Sequence, residues 1–466
     1  VSCRRIAASV GLAVGLRAPT PAAPGPAALL AQEAPDSATA TPILRPANPP
    51  AAVVAAARTF RASDDPRARE TAAAWLRAAD VPVDVLVAAL AADPGYAADV
   101  PRGRLDRMRV GGDGRVYPYV VLIPPGYRPD RVYPVLVYLH GGVGRAAWDR
   151  PGAWWRDYDR IADADRIVVV PAAWNEAEWW QDRQVDNLAA ILRTLSRRYR
   201  IDHDRVHLLG ISDGGTGVYF QAFRAATPWA SFLSFIGHPA VLSSPRLPID
   251  GQMYVGNLRN RPLFALNGGR DRLYPAASVE PYLRLFRDDG VTLVYRPRPD
   301  AGHDTSWWDE ESARIDSFIV ATPRDPLPDR LEWETEDPRR GRFSWLVIDE
   351  LGPVAGEAAL PDRNELRIPG ESEPYLAFPH PRPSGRVELE RVGNEVTART
   401  RGVRAFRLLI SPAEFDVARP VRVTVNGRIA FDGLVEPGAG PLLEWAARDL
   451  DPGLLFVAEI EVRPGG

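Results

Sequence analysis

Apolar residues recur at helical spacing over residues 51–93, where Val53, Val54, Phe60, Trp75, Leu76, Val85, Leu86 and Leu90 fall on repeating faces. Two or three short helices are predicted there. From about Arg104 to Val320 the pattern changes to short β-rich runs at 117–123, 135–139, 167–170, 206–209, 232–236, 263–266 and 291–295, separated by amphipathic stretches. One such stretch, 184–199, sets Val185, Leu188, Ile191, Leu192, Leu195 and Tyr199 on a single helical face. Uninterrupted apolar runs suit strands buried on both faces, so this alternation predicts an α/β region with a mostly parallel sheet covered by helices.

Pro323, Pro326 and Pro328 then predict a linker. Beyond it, 345–348, 395–400, 406–410 and 421–425 read as strands, and Asn426-Gly427 supplies a two-residue hairpin turn. The tail is expected to form a β-sandwich-like domain. At the other end, Arg4 and Arg5 precede an apolar stretch of 11 residues, too short to span a bilayer, with small residues around 28–31. The expected organisation is therefore a signal peptide at 1–31, a flexible tether at 32–50, a helical segment at 51–103, an α/β region at 104–322 and a β-rich region at 323–466. Such a leader predicts export to the periplasm or the extracellular space, and no window predicts a membrane span.

Composition narrows the chemistry. The net charge is −3 and lysine is absent, which argues against nucleic-acid or anionic-membrane partners and excludes Schiff-base catalysis and a phosphate-binding loop built on lysine. Cys3 is the single cysteine, leaving no disulfide, no cysteine-based zinc site and no iron–sulfur cluster.

The most informative stretch is an apolar run, 206–209, leading into Gly210-Ile211-Ser212-Asp213-Gly214 and a helix-compatible segment. A serine on a tight strand-to-helix turn adopts a strained backbone, projects its hydroxyl, and sits where the helix dipole favours developing negative charge. The pentapeptide alone could be an ordinary Gly-Ser loop. A serine hydroxyl also needs a base to take its proton and an acid to hold that base in the correct tautomer. Six histidines are available. His203 and His207 precede the serine within or before its strand, His380 belongs to the tail, and His238 in Gly-His-Pro has a structural reading. His303 follows the last predicted strand behind Gly302 and is the expected base. Asp271 closes an apolar strand and the Gly-rich turn Asn267-Gly268-Gly269-Arg270, and is the expected acid, with Asp300 and Asp304 as rivals on the histidine's own loop. The run 134–139 ends in His140-Gly141-Gly142, whose bare backbone N–H groups suit an oxyanion site. Gly142 or Val143 and the backbone of Asp213 are the expected donors, and His140 is expected to fix the loop.

Four features in this order, each at a strand end, resemble the α/β-hydrolase fold, in particular polyhydroxybutyrate-depolymerase and feruloyl-esterase-like carboxylesterases. The resemblance rests on Tyr138-Leu139-His140-Gly141-Gly142, on Asp202 and Arg205-Val206 before the elbow, on Gly-Ile-Ser-Asp-Gly-Gly, on Asn267-Gly268-Gly269-Arg270-Asp271 with Tyr274-Pro275, and on Gly302-His303. It covers about residues 115–320, under half of the chain. It implies the fold and serine-dependent hydrolysis of esters but names no substrate; the residues assign Ser212, His303 and Asp271 to that chemistry, which needs no cofactor, and the indoles considered below suggest a small-molecule or glycan-linked ester. A serine peptidase using the same groups, and a carbohydrate- or partner-binding protein with a secondary hydrolase domain, are the competing readings. The tryptophans suggest a pocket: Trp148, Trp154 and Trp155, then Trp174, Trp179 and Trp180, then Trp307 and Trp308 each follow a predicted strand at its carboxyl end, where open α/β sheets bind ligands. Trp180, Trp307 and Trp308 are expected to contact substrate; packing of helices onto the sheet is the alternative.

Overall fold

The computed structural model describes residues 48–147, 161, 165–243, 253–353, 365–366, 372, 375–376 and 383–464. The expected signal peptide, residues 32–47 of the expected tether, His380, and the tryptophans at 148, 154 and 155 lie outside the described residues.

Three helices open the described chain: α1 (Ala51–Ala62), α2 (Pro66–Ala78) and α3 (Val83–Ala91). Asp65 caps α2 by accepting the Arg67 N–H, and Pro66 fills the first helical position, where a missing N–H costs nothing. Val53, Ala57 and Phe60 of α1 meet Leu76 of α2 and Leu86 and Leu90 of α3 in a small core of their own.

The main sheet has eight strands, β1 (Gly103–Val110), β2 (Val116–Ile123), β3 (Tyr133–Leu139), β4 (Ile167–Pro171), β5 (Ile201–Ile211), β6 (Ser231–Phe235), β7 (Leu263–Gly268) and β8 (Leu293–Arg298), in the order β1-β2-β4-β3-β5-β6-β7-β8. β1 and β2 run antiparallel to their neighbours, and every pairing from β4 to β8 is parallel. Each residue of β4, β6 and β7 is buried, as strands covered on both faces require. The covering helices are α4 (Asp182–Arg198), α5 (Asp213–Arg224), the short α6 (Val255–Leu258), α7 (Ala276–Asp288) and α8 (Trp308–Ala321). The expected strand at 291–295 starts two residues later and runs to Arg298, because Gly290 turns with φ +87° and the guanidinium groups of Arg296 and Arg298 are held by the buried carboxylate of Glu311.

The C-terminal region adds β9 (Arg330–Thr335), β10 (Arg342–Phe343), β11 (Leu346–Leu351), β12 (Glu365–Leu366), β13 (Tyr375–Leu376), β14 (Gly385–Val392), β15 (Glu395–Arg401), β16 (Val403–Ile410), β17 (Val421–Val425), β18 (Arg428–Gly433), α9 (Ala439–Asp449) and β19 (Ala458–Val462). Two sheets, β10-β11-β16-β19 and β18-β17-β15-β14-β9, meet where β14 touches β11 and β16. The expected hairpin is present between β17 and β18, with Asn426 at φ +50° and Gly427 at φ +80°.

This region is bound tightly to the main sheet. Asn257 and Asn260 use their side-chain amides as backbone does, each donating to and accepting from β9, at Glu334 and at Glu332, and so satisfy its outer edge. The Pro-rich stretch expected to be a linker carries Arg324, whose side chain is 1% exposed and bonds Asp204 at 2.8 Å and Asp451 at 2.6 Å. A buried ion network therefore fixes that stretch. Leu442 and Leu443 of α9, a helix not expected from the sequence, complete the small core of α1–α3.

Candidate active site

The site lies where β3, β5, β7 and β8 end. Ser212 stands between β5 and α5 at φ +57° and ψ −120°, a conformation that a side chain tolerates only when its surroundings impose it. Here its N–H donates to the Phe235 carbonyl at 2.9 Å and its own carbonyl accepts the Thr216 N–H at 3.0 Å. The flanking glycines are demanded by close approach: a Cβ on Gly210 would run into the Gly214 backbone, and one on Gly214 would strike the Leu139 carbonyl.

His303, on the loop after β8, brings Nε2 to 2.8 Å from the Ser212 hydroxyl and Nδ1 to 2.7 Å from Oδ2 of Asp271. The Asp271 side chain is fully buried, and its Oδ1 accepts the N–H groups of Leu273 at 2.8 Å and Tyr274 at 2.9 Å. One carboxylate oxygen is thus anchored to backbone while the other faces the imidazole. The rivals are placed elsewhere: Asp300 pairs with Arg270 at the surface, and Asp304 accepts the Ser306 N–H.

On the opposite side, Gly142 has φ +71°. The expected loop-fixing role of His140 has a clear geometry: Nδ1 lies 2.8 Å from the Gly141 carbonyl, Nε2 lies 3.0 Å from the Ala173 N–H, and the His140 carbonyl accepts from Trp179 at 2.8 Å. These partners make Nδ1 the donor and Nε2 the acceptor, and burial pushes the imidazole down to about 4, so it stays neutral. The Val143 N–H donates to Oδ2 of Asp213 at 2.9 Å. Val143, considered above as an oxyanion donor, is therefore engaged. That bond also gives the Asp213 carboxylate a part that its position beside the serine did not reveal, since it ties the glycine loop to the elbow.

The other described histidines are structural. His207 is buried against the Ser231 hydroxyl at 2.8 Å, and His203 lies in the network around Asp451. His238 accepts the Ala240 N–H and faces the Ser278 hydroxyl. Trp180, Trp307 and Trp308 are 5%, 2% and 9% exposed. Trp307 and Trp308 pack edge-on against Phe235, Trp307 donates to the Asp304 carbonyl and Trp180 to Glu178. Their rings are core packing, so the expected aromatic wall needs correction: these indoles leave almost no face for a ligand. Tyr274, whose ring meets His303 edge-on at 5.6 Å, and Glu178, close enough to Asp213 to feel its charge and shifted upward by burial, stand nearer the chemistry. Tyr274 was visible only as part of the Tyr274-Pro275 motif, and Glu178 carried no sequence signal.

Among the described residues no group of three or more metal-ligating side chains is assembled, and no helix is long and apolar enough to cross a membrane. No protein-family model matches the sequence. A bifunctional acetylxylan esterase/xylanase of Neocallimastix patriciarum is 26% identical over 188 residues, a match that covers 39% of this chain and only 25% of that enzyme. Among solved structures, a thermostable esterase superposes with TM-score 0.38 and 18% identity, covering 47% of this chain and 63% of the other. A ferulic acid esterase gives TM-score 0.38 and 21% identity over 47% and 97%. The strand order of the main sheet and the strand–serine–helix elbow are those of the α/β-hydrolase fold, and over 188 residues the sequence is similar to the acetylxylan esterase/xylanase.

Proposed function

We propose that the chain is an exported hydrolase that cleaves carboxylic esters through an acyl-enzyme, with Ser212 as nucleophile, His303 as base and Asp271 as the group that orients it. The observation that carries this reading is the unbroken line Asp271–His303–Ser212, with contacts of 2.7 and 2.8 Å ending on a serine held at φ +57°. Ser212 Oγ attacks the acyl carbon while its proton passes to Nε2 of His303. Asp271 stabilises the imidazolium at Nδ1. The backbone N–H groups of Gly142 and Asp213 are the donors assigned to the oxyanion, and the Asp213 carboxylate keeps the loop that carries Gly142 in register with the elbow through Val143. His303 then protonates the leaving alcohol, and water repeats the cycle on the acyl-enzyme.

An ester is preferred to an amide because the curated relative is named as an acetylxylan esterase, which makes acetylated sugars the first substrate class to try. Export rests on the charged and apolar pattern of residues 4–16. The test is covalent labelling by a fluorophosphonate, together with a panel of acetyl, feruloyl and peptide substrates, on wild type and Ser212→Ala. Labelling that disappears in the variant along with ester hydrolysis is expected; labelling that persists would remove Ser212 from the mechanism.

A further inference from the structure

About 18 Å of helix separates Ser212, at the start of the 12-residue α5, from Arg224 at its end, so the opposite edge of the main sheet is remote from the chemistry. A cavity of about 280 Å³ lies there, between α4, the segment after α5, the turn Pro338–Arg340, β10 and the end of α9. Seven arginines line it. Five are neutralised by carboxylates, Arg342 by Asp449 through two bonds of 2.6 and 2.7 Å and Arg340 by Asp186 at 2.8 Å among them. The guanidinium groups of Arg193 of α4 and Arg448 of α9 make no hydrogen bond or ion pair with any described residue.

Arg193 is half-buried and Arg448 partly exposed, and the two guanidinium groups facing the same cavity repel each other. Burial, followed by neighbouring arginines, holds both below the ordinary arginine value. Arg448 is also held in place, because it shares the Trp445 ring with Arg342, at 5.1 and 4.4 Å. One further donor on the wall, Nε of Arg224, is buried without a hydrogen-bond partner among the described residues, whereas Nε of Arg340 lies 3.5 Å from Oδ1 of Asp182. Two guanidinium forks that face one cavity without a carboxylate partner of their own are complementary to an oxyanion, whose paired oxygens match such a fork.

We propose that this cavity binds a small oxyanion, a carboxylate- or phosphate-bearing molecule, gripped between Arg193 and Arg448 and so bridging the hydrolase sheet to the C-terminal region. The volume falls just under the ~300–1,000 Å³ of pockets for drug-sized ligands, which restricts the ligand to a small acid or a simple phosphate. Thermal denaturation of the full chain in citrate, in inorganic phosphate and in potassium chloride of matched ionic strength tests this, with Arg193→Gln and Arg448→Gln beside wild type. A rise of at least about 2 °C in citrate or phosphate over chloride is expected at saturation, and the arm that responds identifies the ligand as an acid or a phosphate. Each variant should weaken the half-saturating concentration about tenfold while melting no lower than wild type without the anion, because the guanidinium removed has no hydrogen bond or ion pair of its own to lose. Equal melting in all three salts, an unchanged response in both variants, or variants that melt several degrees lower without anion would each overturn the proposal.

Discussion

Replacing Asp271 by Asn tests the orienting acid with almost no change of shape, and the structure fixes which way the amide must turn. Oδ1 of Asp271 accepts two backbone N–H groups, from Leu273 and Tyr274, whereas Oδ2 meets only Nδ1 of His303. An asparagine that turned its NH2 toward those two donors would leave both N–H groups unsatisfied in a buried position, at about 1–3 kcal/mol each. It therefore keeps its oxygen there and presents the NH2 to His303. Nδ1 must then become the acceptor, which puts the imidazole proton on Nε2, facing the Ser212 hydroxyl at 2.8 Å. A base that already carries its proton cannot take another. The expected loss in kcat is roughly ten-thousand-fold, the magnitude found when a buried triad aspartate is amidated, or about 5.5 kcal/mol of barrier. The assay is kcat and KM on p-nitrophenyl acetate beside a thermal melt, with KM and Tm expected to stay near wild type. A loss in kcat under about tenfold would refute the assignment and require another group to hold His303.

Two further predictions concern stability. Burial, ahead of every other influence, pushes His140 and His238 down to about 4 and His207 to about 3. The unfolded chain takes up these protons near pH 6.5 and the folded one does not, so stability is complete above about pH 6.5 and falls as pH drops toward 4, by about 1.4 kcal/mol per pH unit for each histidine. Denaturant titrations between pH 7 and 4.5 should show that slope and a shallower one in His207→Gln; an unchanged slope in the variant would contradict it. Arg324→Ala should destabilise by about 3–5 kcal/mol, because Asp451, which Arg324 and His203 hold down to about 2, would remain charged in a buried site. Chemical denaturation measures it, and a change below about 1 kcal/mol would mean that Asp451 finds another partner.

Local pattern was enough where one covalent segment makes the feature. The elbow at Ser212, the strands from β2 to β7 and the Asn426-Gly427 turn each follow from a few neighbouring residues, and the order Ser212, Asp271, His303 placed the three groups at the ends of β5, β7 and β8. Features made by distant partners were hidden. β9 reads as an ordinary polar run, and only Asn257 and Asn260, more than 70 residues earlier, explain why its edge needs no further strand. α9 was missed because Leu442, Leu443 and Trp445 sit among strands, and its apolar face has meaning only beside α1–α3. The tryptophan clusters misled for a related reason: position at the carboxyl end of a strand cannot distinguish a ring turned to the cleft from one turned down onto Phe235.

The absence of lysine bears on how the C-terminal region is attached. An ammonium group buried at the junction would shed its proton more readily than a guanidinium, whose delocalised charge persists and whose planar fork reaches two acceptors at once. Arg324 links Asp204, near the start of β5, the strand that leads to Ser212, with Asp451 of the tail, and Arg342 grips Asp449 by two bonds. Arg261, also buried, donates to the Trp229 carbonyl and lies over the Phe343 ring. These contacts fasten the tail to the end of the sheet opposite the elbow, so they steady the strands without crowding the cleft. Substitution of Arg324 by lysine keeps one charge but cannot span both carboxylates. The tail's attachment therefore depends on guanidinium geometry as well as on charge.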